Sequence, residues 1–202
     1  MDETRVKKMV ARLDAAVSDV DDAAMLLWNT GSVQARFEET GVVSAEAARQ
    51  LGMVGPAARA SGISLDVRRD HPAGIFRFSQ LPVPVLDSGD VFARAQLRHL
   101  EIGRSATFVR EFLTRLPKGP IRAAPVGPLK GGQLLVSLVE GWRGEICHVA
   151  LTDEQGRFAA YKVVDPSFHN WTGLAMALRE QQISDFPLCN KSFNLSYCGH
   201  DL

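Results

Sequence analysis

Cysteine and histidine are the residue types in this sequence that best suit a transition metal. The three cysteines, Cys147, Cys189 and Cys198, form no CxxC pair, and the five histidines show no HExxH spacing that would set two of them on one helical face. Cys198 and His200 are close in sequence, but a structural zinc site needs about four ligands. We therefore predict no metal site built from this chain alone, and we interpret Cys198 as a structural cysteine.

Charged residues between Gly52 and Pro84 form a second candidate site. This stretch is rich in Gly, Pro and Arg and has no clean periodicity, which predicts an ordered loop region. Arg59, Asp70 and His71 could line a cavity there, and the alternative is an ion-pair network that orders a long loop. Glu101, further along the chain, is expected on a solvated helix surface, with pairing to a loop arginine as the alternative.

Composition limits the class of protein. The 202 residues are 46% hydrophobic and 23% charged, which is typical of one globular domain spanning 1–202. Lys+Arg and Asp+Glu both number 23, so no net charge attracts nucleic acid. No apolar run approaches the roughly 20 residues of a membrane span, and the first residues lack the apolar region of a signal peptide. We expect a cytoplasmic protein that meets a membrane only through partners.

Apolar periodicity predicts two long helices, over about 4–28 and about 88–115. In the first, apolar residues recur every three or four positions from Val6 to Leu27, and Asn29-Thr30-Gly31 stops the helix. In the second, Ser88 or Asp90 begins the helix, and Pro117 and Gly119 end it. A short helix over 45–51 follows Ser44 as its N-cap.

Three strand-like runs follow the second long helix, within about 134–164. Two turns separate them, Gly141–Gly144 and Asp153–Gly156, which predicts a small antiparallel meander. A last helix is predicted from Asn170 or Thr172 through Glu180, and the remainder, 183–202, is aperiodic. The predicted fold class is α+β, mainly helical.

Short motifs occur in a fixed order along the whole chain: Thr40–Ala47 with Gly52–Gly62, Asp66–Pro72, Gly89–Arg94, Val139–Glu145 and Asp165–Trp171. They resemble, in turn, a GxxGPxxRASG segment, a D-x-R-x-D-x-P element, the start of a long helix, an E-x-P-R-G-E turn with Trp142 in place of proline, and a segment of the formate-hydrogenlyase branch. In this order the chain resembles the C-terminal half of the large subunit shared by respiratory complex I, an NADH-quinone oxidoreductase, and membrane-bound nickel-iron hydrogenases.

The end of the sequence departs from the hydrogenase pattern. In hydrogenases of this family a D-P-C-x-x-C motif supplies two thiolates to nickel and iron. Here Asn194 stands at the acid, Ser196 at the first cysteine and Gly199 at the second, while Cys198 is one residue out of register. Neither a hydroxyl nor a glycine replaces a thiolate at a soft metal centre. The resemblance thus implies a site without nickel, as in complex I large subunits, which use the vacated cavity for quinone.

The resemblance also implies roles for single residues. Arg143 matches the arginine that overhangs the hydrogenase metal, so it would point into the emptied cavity and donate to a quinone oxygen or a carboxylate. Asn194 is the second catalytic candidate, and we expect the two side chains within about 15 Å of each other, facing one polar cavity. The candidates for lining a cavity or binding substrate are Arg59, Asp70, His71 and Asp165.

Some of these residues also have a purely structural interpretation. Arg143 taken alone is a hairpin-turn arginine in water, and Asp165, directly before Pro166, is of a kind that commonly ends a strand.

The implied function is that of a large-subunit component of a membrane-associated electron-transfer complex. Electrons would come from an iron-sulfur cluster in a small partner subunit, membrane subunits would anchor the complex, and quinone is a possible acceptor. The chain would bind no cofactor itself and would be inactive in isolation. Nothing in it resembles the first half of such a subunit, so we expect that half as a partner, or self-association of the chain alone. The alternative is a non-catalytic structural or interaction module that keeps the fold.

Overall fold

The computed structural model describes residues 2–117, 119–120 and 127–202. The α-helices of these residues are α1 (Glu3–Trp28), α2 (Gly31–Phe37), α3 (Ala45–Gln50), α4 (Gly55–Arg59), α5 (Val67–Asp70), α6 (Val91–Thr114), α7 (Pro166–Ala177), α8 (Phe186–Phe193) and α9 (Tyr197–His200). Short 3-10 turns lie at Gly74–Arg77 and Ile183–Asp185. The strands are β1 (Leu134–Gly141), β2 (Gly144–Thr152) and β3 (Phe158–Val164), in an antiparallel sheet of order β1-β2-β3. The predicted α+β class is confirmed.

The two long helices, α1 and α6, lie close to their predicted bounds and pack against each other. Each begins at an aspartate whose carboxylate accepts a hydrogen bond from a free backbone N–H of the first turn: Asp2 caps α1 and Asp90 caps α6. His99 of α6 joins the helices, because its Nε2 lies 2.8 Å from Asp21 Oδ1 and its Nδ1 accepts a hydrogen bond from the Trp28 indole at 3.2 Å.

The hydrophobic core lies among the shorter helices. Met53, Phe193 and Cys189 are almost completely buried, and they pack with residues of α3, α4, α6, α7 and α8. A smaller cluster around Leu97 lies where α6 meets the end of α4. These helices are too short to be stable on their own, so their shared core is what holds them in place.

The β1–β2 hairpin meets this core at its tip. Gly141 pairs with Gly144 across the turn, and Gly144 lies against Gly55 at the start of α4. A Cβ atom at either Gly55 or Gly144 would overlap the other backbone, so only glycine permits this approach. The buried Asn170 of α7 holds the same region, with its amide bonded to both the N–H and the carbonyl of Val54 at 3.0 and 3.1 Å.

Several local predictions were wrong. The last predicted helix begins earlier, at Pro166, because Asp165 caps it and proline suits the first helical position. It ends at Ala177, not Glu180. The tail 183–202 contains α8 and α9, which are too short to display a periodic pattern. The predicted loop region holds α4 and α5, and α2 was not predicted.

Much apolar surface remains exposed on α1 and on the sheet. Ala24 is the buried residue of α1, whereas Met25, Leu26 and Leu27 are exposed. Leu134, Leu135 and Val136 of β1 are also exposed, although consecutive residues of a strand face opposite sides. Within the described ranges, no helix has both the length and the apolar character needed to cross a bilayer.

Candidate functional site

One cluster of charged side chains is centred on Arg59, at the end of α4. The Arg59 side chain is completely buried and lies within 3.2 Å of three carboxylates. Its Nη1 donates to Glu140 Oε1 at 2.9 Å and its Nη2 to Glu101 Oε1 at 2.6 Å, while Asp66 Oδ2 is 3.2 Å away. Arg68 adds a second guanidinium, which binds both oxygens of Asp66 at 2.8 and 2.5 Å. The cluster joins α4, α5, α6 and β1.

The carboxylates of this cluster differ in their electrostatics. Burial disfavours the charge of Asp66, but hydrogen bonds from Arg68 and the charge of Arg59 outweigh it and hold the pKa of Asp66 below its ordinary value. Burial is the dominant effect at Glu140 and raises its pKa, with Arg59 offsetting only part of that effect. Burial also disfavours the charge of Arg68, but Asp66 keeps its pKa above the ordinary value.

A cavity of about 70 Å³ lies beside this cluster and is lined by Asp70, His71, Glu145 and Glu140, among others. Arg59 lies behind the cavity wall in the ion-pair network, the alternative left open from the sequence. Asp70 also bonds the Asp66 N–H at 2.9 Å, and Arg69 holds its pKa below the ordinary value.

The expectation of a solvated Glu101 was wrong. Its side chain is 15% exposed and pairs with Arg59. The periodicity of α6 could not show that Arg59, at the end of α4, packs against this position of the helix.

Arg143 and Asn194 are in direct contact, as expected from the resemblance. Arg143 lies at the tip of the β1–β2 hairpin, and its Nε donates to the backbone carbonyl of Asn194. Asn194 follows α8 with φ of 55°, a left-handed conformation that asparagine tolerates at the end of a helix. Arg143 is partly buried, so it is not a fully solvated turn residue. Other residues line the cavity at Glu140, so a polar cavity shared by Arg143 and Asn194 stays a prediction.

Two further arginines, which sequence reasoning missed, surround the end of α8. Arg94 is fully buried, donates to the carbonyls of Gly89 and Gly41 at 2.7 and 2.9 Å, and lies over the Phe193 ring. Arg98 donates to the carbonyls of Ser192 and Phe193 at 2.6 and 3.0 Å. Arg98 and Arg143 together bind three consecutive carbonyls at the negative end of α8.

Burial lowers the pKa of both Arg94 and Arg98 to about 10, and the charge of Arg143 contributes at Arg98. Both remain cations at neutral pH. In the described part of the chain, none of Arg94, Arg98 and Arg143 has a carboxylate within 4 Å. The sequence did contain a signal for these buried arginines. Charged residues share one face of α6 with the apolar Leu97, at spacings of three and four: Arg94, Arg98 and Glu101.

The tail segment packs against the start of α7. Ser196 Oγ accepts a hydrogen bond from Gly199 N at 3.0 Å and so caps α9. Asp165 caps α7 through the N–H of Ser167 at 2.8 Å, and its carboxylate fills the space beside Gly199. A Cβ at Gly199 would lie 2.5 Å from Asp165 Cγ, so a side chain there would require the capping carboxylate of Asp165 to move. Asp165 therefore ends β3 and begins α7.

The cysteines of the described residues do not form a metal-binding group. Cys147, Cys189 and Cys198 are free thiols, and burial raises the pKa of Cys189. Across residues 2–117, 119–120 and 127–202, no three His, Cys, Asp or Glu side chains are arranged to hold a metal ion.

Comparisons with known proteins agree with this fold. The family "Respiratory-chain NADH dehydrogenase, 49 Kd subunit" matches residues 1–128, which is more than half of the chain. The chain therefore belongs to this family. It is 31% identical over 186 residues to the carbon monoxide-induced hydrogenase of Rhodospirillum rubrum, covering 92% of this chain and 51% of that protein. It is 30% identical over 185 residues to a subunit of the NADH-quinone oxidoreductase of Desulforamulus reducens, covering 90% of this chain and 49% of that protein.

A solved structure shares the fold. It is that of a membrane-bound sulfane sulfur reductase, described as an archaeal respiratory membrane complex, and it aligns with a TM-score of 0.90 and 21% identity over 99% of this chain and 56% of that chain. The chain thus spans about half the length of the relatives it matches.

Proposed function

We propose that this chain forms part of the large subunit of a membrane-associated electron-transfer complex of the NADH-quinone oxidoreductase or hydrogenase type. Its relatives include oxidoreductase subunits of both types, and its fold occurs in a respiratory membrane complex. In this proposal the chain builds one wall of the acceptor cavity, around Arg143 and Asn194. An iron-sulfur cluster in a small partner subunit supplies the electrons, membrane subunits hold the complex at the cytoplasmic face, and the isolated chain is inactive.

The geometry of Arg143 is the observation that carries this proposal. Its Nε is bonded to the Asn194 carbonyl, while neither Nη atom has a hydrogen-bond partner among the described residues. The contact orients the guanidinium and leaves its outer donors free for an acceptor oxygen. A quinone oxygen gains negative charge on reduction, and a pre-oriented cation stabilises that charge more than it stabilises the neutral quinone.

The tail supports an acceptor site without nickel. The hydrogenase thiolate positions are Ser196 and Gly199, and the hydroxyl of Ser196 is used in capping α9. Any side chain at position 199 would displace the carboxylate of Asp165 from the start of α7. These residues do not fit a nickel-iron centre, so no step of the proposed reaction runs through that metal.

The test is the activity of the complex purified from membranes of the source organism through a tag on this chain. We expect an iron-sulfur protein to co-purify, with a cluster visible by electron paramagnetic resonance and quinone reduction in the preparation. Arg143→Ala should reduce turnover about 10²–10³-fold, the typical cost of a lost transition-state donor. Arg157→Ala, in the exposed second hairpin turn, is the matched control and should leave turnover unchanged. Full activity of Arg143→Ala would refute the proposed role.

Metal content is tested separately, on the purified chain expressed with nickel and iron supplied. We expect no stoichiometric amount of either metal in elemental analysis. One nickel per chain would contradict the proposal.

The interaction-module alternative is favoured by the exposed apolar residues of α1 and the sheet. Co-purification of partners without any iron-sulfur signal or quinone reduction would support it. In isolation the chain should self-associate through a long helix, because monomers rarely expose large apolar patches. The test is light scattering of the isolated chain at a concentration on the order of tens of micromolar, where weak dimers form. A clean monomer would contradict this expectation.

A further inference from the structure

Glu140 has the least charge compensation of the three carboxylates around Arg59. Asp66 shares Arg59 but also has Arg68 bound to both of its oxygens. Glu101 binds Arg59, lies 3.6 Å from Arg68 and is partly exposed to water. Among the described residues, Arg59 is the cation within 4 Å of Glu140, at 2.9 Å, and the Glu140 side chain is 3% exposed. A negative charge on Glu140 is therefore poorly solvated and poorly balanced.

The carboxylate of Asp66 increases this imbalance, and a further carboxylate, that of Glu145, lies on the neighbouring strand. Glu145 is the direct cross-strand partner of Glu140 in the β1–β2 ladder, where opposite side chains lie on the same face of the sheet. Asp66 adds a second negative charge close by, which together with burial raises the pKa of Glu140. The charge of Arg59 and the N–H of Val67, 3.1 Å from Glu140 Oε2, oppose this effect without cancelling it.

Water can reach Glu140 through the cavity of about 70 Å³. This volume exceeds the roughly 10–15 Å³ that a cavity needs to hold one water molecule. Asp70, His71 and Glu145 share the lining with Glu140, and all are polar groups that can hold an ordered water. The charged or titratable groups that face Glu140 are Arg59 from α4; Asp66, Arg68, Asp70 and His71 from α5 and its ends; Glu101 from α6; and Glu145 from β2.

We propose that the Glu140 carboxyl is an exchangeable proton-binding site of the buried Arg59 cluster, reached from water through the cavity that Asp70, His71 and Glu145 line. The reaction is the addition of one proton from water to a carboxylate oxygen and its return to water, so it needs no other reactant. Glu140 lies three residues before Arg143 on the same hairpin. The site therefore holds a proton next to the tip of the hairpin that carries Arg143. This inference goes beyond the proposed function and does not depend on it.

The test is a pH titration of the full isolated chain, followed by infrared and carbon NMR signals of its carboxyl groups. We expect one glutamate to keep its proton at a pH above about 4.3, where exposed glutamates lose theirs. The carbonyl band of this protonated carboxyl should disappear in Glu140→Gln and remain in Glu101→Gln, which is the matched control because Glu101 binds the same guanidinium. The band should shift quickly in heavy water, because the cavity admits exchange.

The proposal is overturned if all glutamates titrate together. It is also overturned if the carbonyl band of the protonated carboxyl survives Glu140→Gln or vanishes in Glu101→Gln. Should Glu140→Gln fail to fold, the test can use the wild-type chain. The pH dependence of the assigned Glu140 carboxyl-carbon signal then shows whether this residue keeps its proton. Glu145→Gln supplies an electrostatic check, since removing this like charge from the neighbouring strand should lower the pKa of Glu140. A midpoint that stays or rises would refute the cross-strand contribution.

Discussion

Two groups of buried arginines in this chain are held in opposite ways. Arg59 and Arg68 bind carboxylates, and Asp66 keeps the pKa of Arg68 above its ordinary value. Arg94 and Arg98 bind backbone carbonyls, and burial lowers the pKa of each to about 10. Among the described residues, the first group contacts carboxylates directly, whereas the second group binds neutral carbonyls, including those at the negative end of α8, and remains cationic.

This difference shows which group is suited to structure and which to ligands. A guanidinium surrounded by carboxylates has no capacity left for an anionic or electron-rich ligand. Carbonyl-bound guanidiniums keep their positive potential, and with Arg143 they surround the point where the chain leaves α8 for Ser196. Within the Arg59 cluster, burial raises the pKa of Glu140 and the charge of Arg59 offsets this only in part.

The largest expected effect is that of Arg59→Met, which breaks the first group. Three carboxylates lose their shared cation, and an uncompensated buried charge costs about 3–5 kcal/mol. Urea denaturation at neutral pH should show this loss. The double variant with Glu140→Gln should recover part of it, since one of the stranded charges is gone. A loss below about 1 kcal/mol, the range of exposed ion pairs, would mean that the cluster is not buried in solution. If Arg59→Met does not fold, Arg59→Lys should show a smaller loss in the same direction.

Arg94→Met tests the second group and should cost less, about 1–3 kcal/mol, because the acceptors that it leaves unpaired are neutral carbonyls and the Ser192 hydroxyl. Methionine keeps the apolar contact with Phe193, and removing a buried cation relieves its desolvation. The same denaturation measurement applies, with the exposed Arg157→Met as a control that should stay within about 0.5 kcal/mol of wild type. A cost equal to that of Arg59→Met would remove the distinction between the two groups.

The pH dependence of Glu140→Gln sharpens the comparison. Because the pKa of Glu140 is higher in the folded chain than in the unfolded chain, the folded state keeps this proton to higher pH. The wild-type free energy of unfolding should therefore fall as pH rises from the ordinary glutamate pKa through the raised one. Glu140→Gln lacks this fall and should gain stability over wild type with rising pH, by about 1.4 kcal/mol for each unit of the shift.

Asp66 should act in the opposite direction in the same experiment. Its lowered pKa gives a contribution that is present above the ordinary aspartate value and is lost as pH falls through the lowered one. Both proteins should share this loss in acid. A difference between Glu140→Gln and wild type that is constant with pH would contradict the assignment to Glu140.

The smallest expected effect on stability is that of Arg143→Gln. It removes one hydrogen bond to the Asn194 carbonyl at a partly exposed site, worth about 0.5–1.5 kcal/mol. The loss of stability should be similar at every pH from the Glu140 titration up to neutrality. A much larger loss would indicate that Arg143 has a structural role like that of Arg59.

Local sequence signals determined much of the fold. Asp90 before an apolar-periodic run set the start of α6, and the glycines at 141 and 144 set the first hairpin, because caps and turns depend on neighbouring residues. The motif order also identified the family and drew attention to Arg143 and Asn194. Asp165-Pro166 was a local signal too, but it was interpreted as the end of a strand instead of the start of a helix.

Only the tertiary structure decided how the charges are paired. Arg59, Glu101 and Glu140 are distant in sequence and meet because α4, α6 and the hairpin pack around one point. Arg94 and Arg98 lie on α6, yet the carbonyls that bind them come from other segments, including the end of α8. The type of a residue and its spacing from neighbouring residues in the sequence indicate what it can bind. Its partner, its burial and hence its pKa depend on long-range packing that no local pattern contains.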